Sequence, residues 1–394
     1  MFPYSLSCGL QTLNLVCIIP TLNGGGAERV MARLCSMLAE RGHSVTLITL
    51  DDGSQDRHQV DSEVHRICLE VLSQNRTSSS SWSHRMTRGL MTRGIGAIRR
   101  ISRIRRAIRT VAPEVVLSFC DQMNVMTLIA TKGIGVPVVA CERSDPRHQK
   151  LPALWEWLRS ATYSRASKVI ALTGEVETHI QQTYGAATAV IASAVDIPET
   201  ASERGRADNA KQILAMGRLE PEKGFDRLIT AFGNLAHQFP EWTLCILGDG
   251  QERNTLLKQI TNLDLADRIS LPGWKKQPWE IADEATFFVL PSRYEGFPSA
   301  LMEAMARGIP CLSVDCDSGP RAVIESHSEE PKQASALLVP NDKQSLEAGI
   351  ERLISDSSFR ESLGTNGRRA IARFGWDTMV DQYEKVLFGS SSEV

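Results

Sequence analysis

The sequence predicts two doubly wound α/β domains, each a parallel sheet covered by helices on both faces. Three observations predict it. The chain has 394 residues, too many for one ordinary core and suited to two of roughly 200 each. Short apolar runs alternate with longer amphipathic segments along the whole chain. One polar stretch, Asp196 to Lys211, interrupts that rhythm, which then resumes.

The first apolar run, residues 15–20, reads as a buried strand. Ala27 to Arg41 follows, with Val30, Leu34 and Leu38 on one helical face and Gly42 as a stop signal. Residues 44–50 are β-branched and apolar again, and further strands are expected at 115–119, 136–141, 168–172 and 189–192. The polar stretch holds Pro198 and few apolar side chains, which marks a linker. Beyond it, strands are expected at 212–216, 243–247, 268–271, 286–290, 309–314 and 336–339, with helices between them and helical segments at 343–373 and 376–388. The domains expected are therefore 1–196, a linker at 197–211, 212–375, and a closing helix at 376–394.

Two segments break the pattern. Residues 75–83 are Ser-rich and read as a loop; Asn75-Arg76-Thr77 matches a glycosylation sequon by chance. Residues 85–109 carry nine Arg, and no Asp or Glu occurs between Glu70 and Glu114. Ile98, Ile101, Ile104 and Ile108 recur there at helical spacing, with Arg99, Arg100, Arg103 and Arg106 elsewhere around the helix. That pattern reads as a solvated basic face on a core-packed helix or as a surface that docks on anionic lipid.

Composition narrows the function classes. The net charge of −2 argues against nucleic acid as a partner. Residues 1–196 hold 22 basic and 16 acidic residues, or +6; residues 197–394 hold 22 and 30, or −8. The halves are thus expected to meet different partners. The nine cysteines form no CxxC pair, and Cys17, Cys68, Cys120, Cys141, Cys245 and Cys311 lie in or beside apolar runs. Neither a zinc site nor a disulfide framework is indicated, which fits a reducing, cytoplasmic compartment. No run of about 18 apolar residues suggests a spanning helix.

Three constellations carry chemistry. Gly24-Gly25-Gly26 follows the first strand and opens the first helix, where backbone N–H groups can approach an anion. It fits neither the dinucleotide fingerprint nor a P-loop, and taken alone it equally reads as a tight turn. Gly217-Arg218-Leu219-Glu220-Pro221-Glu222-Lys223-Gly224 follows the first strand of the second half. Arg218 and Lys223 place two cations at a strand's C-terminal end, suited to a diphosphate. The segment from Ser292 to Glu303 runs from a strand end through Glu295-Gly296-Phe297-Pro298 into a helix starting near Ser299. Glu295, beside the N–H groups of Gly296 and Phe297, could bind sugar hydroxyls, and Glu303 a ribose.

With these motifs the chain resembles glycosyltransferase family 4, the retaining family with the GT-B fold. The resemblance rests on Gly24-Gly25-Gly26-Ala27-Glu28-Arg29, the Gly217-to-Gly224 segment, Gly248-Asp249-Gly250, and Glu295 with Glu303 at E-x7-E spacing. It covers nearly the whole chain. It implies two Rossmann-like domains facing across a cleft, an N-terminal one for the acceptor and a C-terminal one for the nucleotide sugar. It also implies that the helix near Trp376 to Leu387 returns to the first domain. Arg218, Lys223 and Glu295 would then be catalytic. Gly25, Gly26, Gly217, Gly248, Gly273, Gly296, Phe297, Pro298 and Glu303 would join them around the donor.

The resemblance further implies no cofactor and no metal, because cations and N–H groups can carry the charge of a leaving diphosphate. Asp315-Cys316-Asp317 mimics a metal-binding D-x-D of another transferase fold but follows a second-half strand. Where relatives often carry a His after the strand at 136–141, this chain has Glu142-Arg143, both candidates for the sugar or acceptor site. Ala322 stands where relatives often carry a Glu, and Ala192-Ser193 where Pro-Asn is usual.

The implied activity is transfer of a hexose or N-acetylhexosamine, with retention, from a UDP-linked sugar to a glycan acceptor. A polyprenyl-diphosphate-linked oligosaccharide at the inner membrane face fits best, with peripheral contact through residues 85–109. A catalytically silent sugar-nucleotide-binding protein is the alternative, motivated by Arg143 and Ala322. A sugar-nucleotide epimerase or a phosphorylase on the same architecture is another.

Overall fold

The computed structural model describes residues 12–71, 90–198, 211–282, 284–316, 318–324 and 334–392. Of these, 12–71, 90–191 and 380–392 form one compact unit, and 192–379 the other.

In the first unit, seven parallel strands form one sheet. They are β1 Asn14–Ile18, β2 Ser44–Thr49, β3 His65–Cys68, β4 Val115–Phe119, β5 Val138–Cys141, β6 Lys168–Ala171 and β7 Thr188–Val190. The helices are α1 Gly26–Glu40, α2 Leu90–Val111, α3 Asp121–Ala130, α4 Ala153–Thr162 and α5 Gly174–Tyr184. Strand order is β3-β2-β1-β4-β5-β6-β7. Chain direction across the sheet therefore reverses between β1 and β4, the switch point where ligands gather in this architecture. β1 and β4 are wholly or almost wholly buried, as near-continuous apolar runs in a two-sided parallel sheet must be. α1 buries Val30, Leu34 and Leu38, and Gly42 takes the left-handed backbone that turns the chain toward β2.

The second unit repeats the plan with β8 Gln212–Met216, β9 Thr243–Leu247, β10 Ile269–Gly273, β11 Phe287–Leu290, β12 Cys311–Val314 and β13 Leu337–Val339. Its helices are α6 Phe225–Leu235, α7 Arg253–Asn262, α8 Trp279–Ala282, α9 Ser299–Ala306, α10 Gly319–Ile324, α11 Lys343–Ser355 and α12 Ser357–Ile371. Strand order is β10-β9-β8-β11-β12-β13, with every pair parallel. The switch point lies between β8 and β11. Ile213, Ala215, Ile246, Phe287, Val289 and Leu312 of the sheet pack with Leu228, Phe232, Ile350 and Leu353 of α6 and α11. The last helix, α13 Trp376–Ser391, contributes its residues from Val380 onward to the first unit.

Several local expectations need correction. The strand at 65–68 was not expected; its sequence, His-Arg-Ile-Cys, is too short and polar to stand out, and it lies at the sheet edge. The segment 343–373 is two helices, because Asp356 accepts a hydrogen bond from Phe359 N (2.9 Å) and starts a new helix there. The core stripe expected on α2 holds for Ile104 and Ile108, both fully buried, but Ile98 is 69% exposed. At 100° per residue Ile98 sits about 120° around the helix from Ile104. The Ser-rich loop with its sequon, the linker from 199 to 210, and the side chains of 85–95 lie outside the described residues.

Among the described residues no helix is long and apolar enough to cross a membrane, and none of the described cysteines is in a disulfide.

Candidate functional site

The second unit concentrates polar groups at the C-terminal ends of β8 and β11. Three glycines build the floor on the β8 side. Gly217 N donates to Leu247 O and Gly248 N to Gly273 O, both 3.0 Å, so the ends of β8, β9 and β10 are laced together. Gly248 has φ 142, and a Cβ there would lie 1.8 Å from Gly217 O. No other residue fits that approach. The expected Gly217, Gly248 and Gly273 thus sit side by side.

The chain then makes a short turn, Pro221–Lys223, and enters α6 through Gly224 at φ 67. A Cβ on Gly224 would meet Pro291 O at 2.2 Å, so this loop lies against the one that follows β11. Arg227 fastens the two. It is buried, and its guanidinium donates to Pro291 O (2.7 Å), Ser292 O (2.7 Å) and Asn341 Oδ1 (2.6 Å). Arg293 adds a surface tie, with its N on Glu222 O (2.7 Å) and its guanidinium on Asp226 (2.7 Å).

This bracing brings Lys223 to Glu295. Lys223 Nζ donates to Glu295 Oε1 at 2.7 Å, and Ser292 Oγ donates to the same oxygen at 2.6 Å. Glu295 is only 6% exposed, and Ser318 Oγ holds its carbonyl at 2.7 Å. A polar side chain buried this far is costly to leave without such partners. Nearby, burial and the charge of Glu295 push the Cys316 thiol up to about 12, so it stays neutral.

Arg218 is placed differently from Lys223. Its side chain is 56% exposed and reaches Glu222 at only 3.4 Å. It is a largely exposed cation that follows the end of a strand. Gly296, Phe297 and Pro298 form the turn into α9, and Gly319 at the start of α10 approaches it closely. A Cβ on Gly319 would meet Pro298 Cδ at 3.0 Å and Gly296 O at 3.2 Å. Glu303 is partly buried and stands one turn inside α9.

In the first unit, Gly24 and Gly25 have φ 116 and 150, and the N-terminus of α1 opens at Gly26. Gly25 and Gly26 are exposed. A Cβ on Gly25 would lie 2.4 Å from Glu28 Oε2.

Glu142 and Arg143 follow β5. Glu142 is fully buried, accepts from Tyr163 OH, and lies 4.0 Å from Arg159 Nη1. Burial is the main reason its carboxyl rises to about 7, with Arg159 opposing and Asp121 adding to the rise. A wholly enclosed group cannot touch a sugar, so Glu142 is corrected from a contact to a buried support. Arg143, with its guanidinium over the Phe119 ring at 5.2 Å, keeps its candidacy.

Sequence reasoning missed Arg227, Ser292, Ser318 and Asn341. Ser292 had a usable signal, a hydroxyl three residues before Glu295 on the same loop. Arg227 had none, since an arginine on α6 reads as a surface residue. Of the D-x-D, Asp315 pairs with Arg321, and Asp317 lies outside the described residues. Among the described residues, no group of three or more His, Cys, Asp or Glu could hold a metal ion.

Comparison with known proteins gives the frame for these groups. Residues 25–193 match the glycosyl transferase 4-like domain, and residues 196–370 match the glycosyl transferases group 1. An exopolysaccharide phosphotransferase of Streptomyces coelicolor is 32% identical over 56% of this chain, which spans 23% of that protein's length. The amylovoran biosynthesis glycosyltransferase AmsD of Erwinia amylovora is 23% identical over 95% of this chain and 99% of its own. A Campylobacter jejuni enzyme is 22% identical over 94% of this chain and 97% of its own. Its name describes an α-1,4-N-acetylgalactosaminyltransferase acting on an undecaprenyl-diphosphate-linked glycan.

Among solved structures, sucrose-phosphate synthase from Thermosynechococcus elongatus aligns with TM-score 0.80 at 17% identity, covering 96% of this chain and 99% of that one. The Anabaena protein HepE, in complex with UDP and glucose, aligns with TM-score 0.71 at 21% identity, covering 95% and 99%.

Proposed function

The chain belongs to the group 1 glycosyltransferases with the GT-B fold, and from that premise we propose that it moves a hexose or N-acetylhexosamine from a UDP-linked sugar to a glycan carried on a polyprenyl diphosphate, with retained anomeric configuration, in bacterial surface polysaccharide assembly. The observation that carries the reading is the pairing of Lys223 with buried Glu295 beside exposed Arg218, at the switch point of the second unit. The UDP and glucose bound by HepE support the donor. The names of the Erwinia and Campylobacter relatives support the acceptor.

The chemistry follows from the residues. Cleavage of the glycosidic bond passes through an oxocarbenium-like state while charge grows on the diphosphate. Arg218, exposed after β8, closes on that diphosphate. Lys223, held by Glu295, offers a second cation whose position is already fixed. Preorganised cations of this kind stabilise developing charge without reorganising at the moment of reaction. Glu295 keeps its second oxygen for sugar hydroxyls, the N–H groups at Gly296 and Phe297 line the same turn, and Glu303 takes the ribose. The leaving-group charge is met by these groups and requires no metal.

The test is UDP affinity by calorimetry. Arg218→Ala is expected to weaken binding by about 1.5–3 kcal/mol, the value of a charge-assisted hydrogen bond. Unchanged affinity overturns the assignment of the diphosphate to this loop.

A further inference from the structure

α13 packs into the first unit with an apolar stripe. Val380, Tyr383 and Leu387, spaced three and four residues apart, are fully buried. Ion pairs at the surface fix the register of the helix. Arg41 Nη1 reaches Asp381 Oδ1 at 2.6 Å and Glu384 Oε2 at 2.7 Å, and His43 Nε2 lies 3.0 Å from Glu384 Oε1. Phenylalanine or leucine would fill the stripe as well as tyrosine does. A hydroxyl taken into such an interior costs stability unless it is hydrogen-bonded, so the Tyr383 oxygen needs a reason.

The ring of Tyr383 lies against Phe119 of β4, with centroids 6.2 Å apart. Its hydroxyl is 3.3 Å from Cys141 Sγ at the end of β5, and a thiol is a weak partner. Arg143 is the stronger one. Its side chain interacts with both the Tyr383 hydroxyl and the Cys141 thiol, and its guanidinium carbon stands 5.2 Å from the centre of the Phe119 ring. A guanidinium only donates, so the Tyr383 oxygen accepts from it and the O–H turns to sulfur. Burial pushes this hydroxyl well above the usual tyrosine range, with Cys141 adding and Arg143 opposing, so it keeps its proton.

The chain that carries Arg143 is fixed as well. Asn124 Nδ2 and Cys120 N both donate to Cys141 O, at 3.0 and 3.2 Å, and Glu142 N donates to Ile170 O at 2.9 Å. Arg159, which closes the core nearby, is fully buried beside Glu142. Arg143 is instead half-buried. The carboxylates next to it in the chain are engaged elsewhere, Glu142 by Tyr163 and Asp145 by Arg147 at 2.7 Å. Glu28 of α1 acts on the neighbouring Cys120, so this edge is mixed in charge. Arg143 follows β5 at the same C-terminal edge of the sheet as Gly25 and Gly26, where ligands gather in this architecture.

We infer that Arg143 holds an anionic group of the acceptor, a phosphate or a carboxylate, and that Tyr383 is the residue that positions it. A guanidinium set by a ring and a hydroxyl has less side-chain freedom to lose on binding, and its fork of N–H donors matches two oxygens of such a group. The inference rests on the proposed function for the acceptor and extends it by naming the residue that reads the acceptor's charge.

The experiment is calorimetry of the full chain with UDP saturating, so that the Arg218–Lys223 loop is occupied. The probes are hexyl glucoside, hexyl glucuronide and a geranyl-diphosphate-linked N-acetylglucosamine. The wild type is expected to bind an anionic probe about tenfold or more tightly than hexyl glucoside. Arg143→Gln is expected to abolish that preference, and Arg143→Lys to restore part of it. Tyr383→Phe keeps the ring and removes the hydroxyl. It is expected to weaken the anionic probe about threefold or more and to have no further effect in the Arg143→Gln background. UDP-induced thermal stabilisation, retained in all variants, verifies that each is folded.

Absent binding, equal affinity for charged and neutral probes, or an unchanged preference in Arg143→Gln overturns the anion site. A Tyr383→Phe loss of the same size with and without Arg143 overturns the positioning role, since a purely structural residue acts in both backgrounds. Preference for the glucuronide alone supports Arg143 and overturns the diphosphate-linked acceptor. Binding of the diphosphate probe that survives Arg143→Gln supports that acceptor and overturns the assignment of its charge to Arg143.

Discussion

Lys223→Met removes one charge from the centre of the second unit's site and changes side-chain length little. Lys223 Nζ lies 2.7 Å from Glu295 Oε1, with the two side chains 19% and 7% exposed. At an effective dielectric of 20 the attraction is about 6 kcal/mol, most of which is offset by desolvating both ions. The variant loses more than the net value of the pair, because Glu295 stays buried with only the Ser292 hydroxyl on Oε1. Water reaching the partly open lysine position softens that loss, leaving a destabilisation of about 2–3 kcal/mol. For a unit of this size that lowers the unfolding midpoint by roughly 4–12 °C. The assay is thermal unfolding of Lys223→Met, Glu295→Gln and the double variant. Removing both charges is expected to be milder than the sum of the single changes, by about 1 kcal/mol or more. Single losses below about 0.5 kcal/mol that add without coupling would refute the claim that Glu295 fixes the lysine.

Other outcomes follow from the same geometry. Arg227→Met should destabilise the second unit by about 3 kcal/mol or more, because it abandons two carbonyls and Asn341; denaturant titration reads this directly. Gly248→Ala puts a methyl 1.8 Å from Gly217 O and should abolish UDP-induced stabilisation even where soluble protein is recovered. Glu142 gives a pH dependence. Its folded value of about 7 lies above the ordinary 4.5, so the folded state binds the extra proton. The associated stability is present below about pH 4.5 and is lost as pH rises through 7. That loss amounts to roughly 3 kcal/mol. Glu142→Gln should flatten this slope in unfolding titrations between pH 5 and 8, and an unchanged slope would place the titration elsewhere.

The α/β rhythm was legible because buried parallel strands are short apolar runs, and β4, β8 and β9 occupy the segments expected for them. Strand starts were less legible. β5 begins at Val138 rather than 136, since Pro137 has no N–H to donate to a ladder. The glycines and cations of the site were readable by type and spacing. Their bracing was not, because Arg227 gains its role only when α6 lies against the β11 loop. The burial of Arg159 on α4 was equally hidden. Nothing in Ala-Leu-Trp-Glu-Trp-Leu-Arg indicates that the arginine turns inward, until Glu142, Glu156 and Tyr184 are seen around it.

Sugar transfer is expected at the Arg218–Lys223–Glu295 site. Its most direct test is incubation of the chain with UDP-hexoses, UDP-N-acetylhexosamines and a polyprenyl-diphosphate-linked glycan, with the product's anomeric configuration read by NMR. The expected product is a lengthened glycan whose new linkage keeps the donor's configuration, formed by the wild type and lost with Arg218→Ala and Lys223→Ala together. An inverted linkage, an isomerised sugar released without acceptor, or equal transfer by the double variant would contradict it.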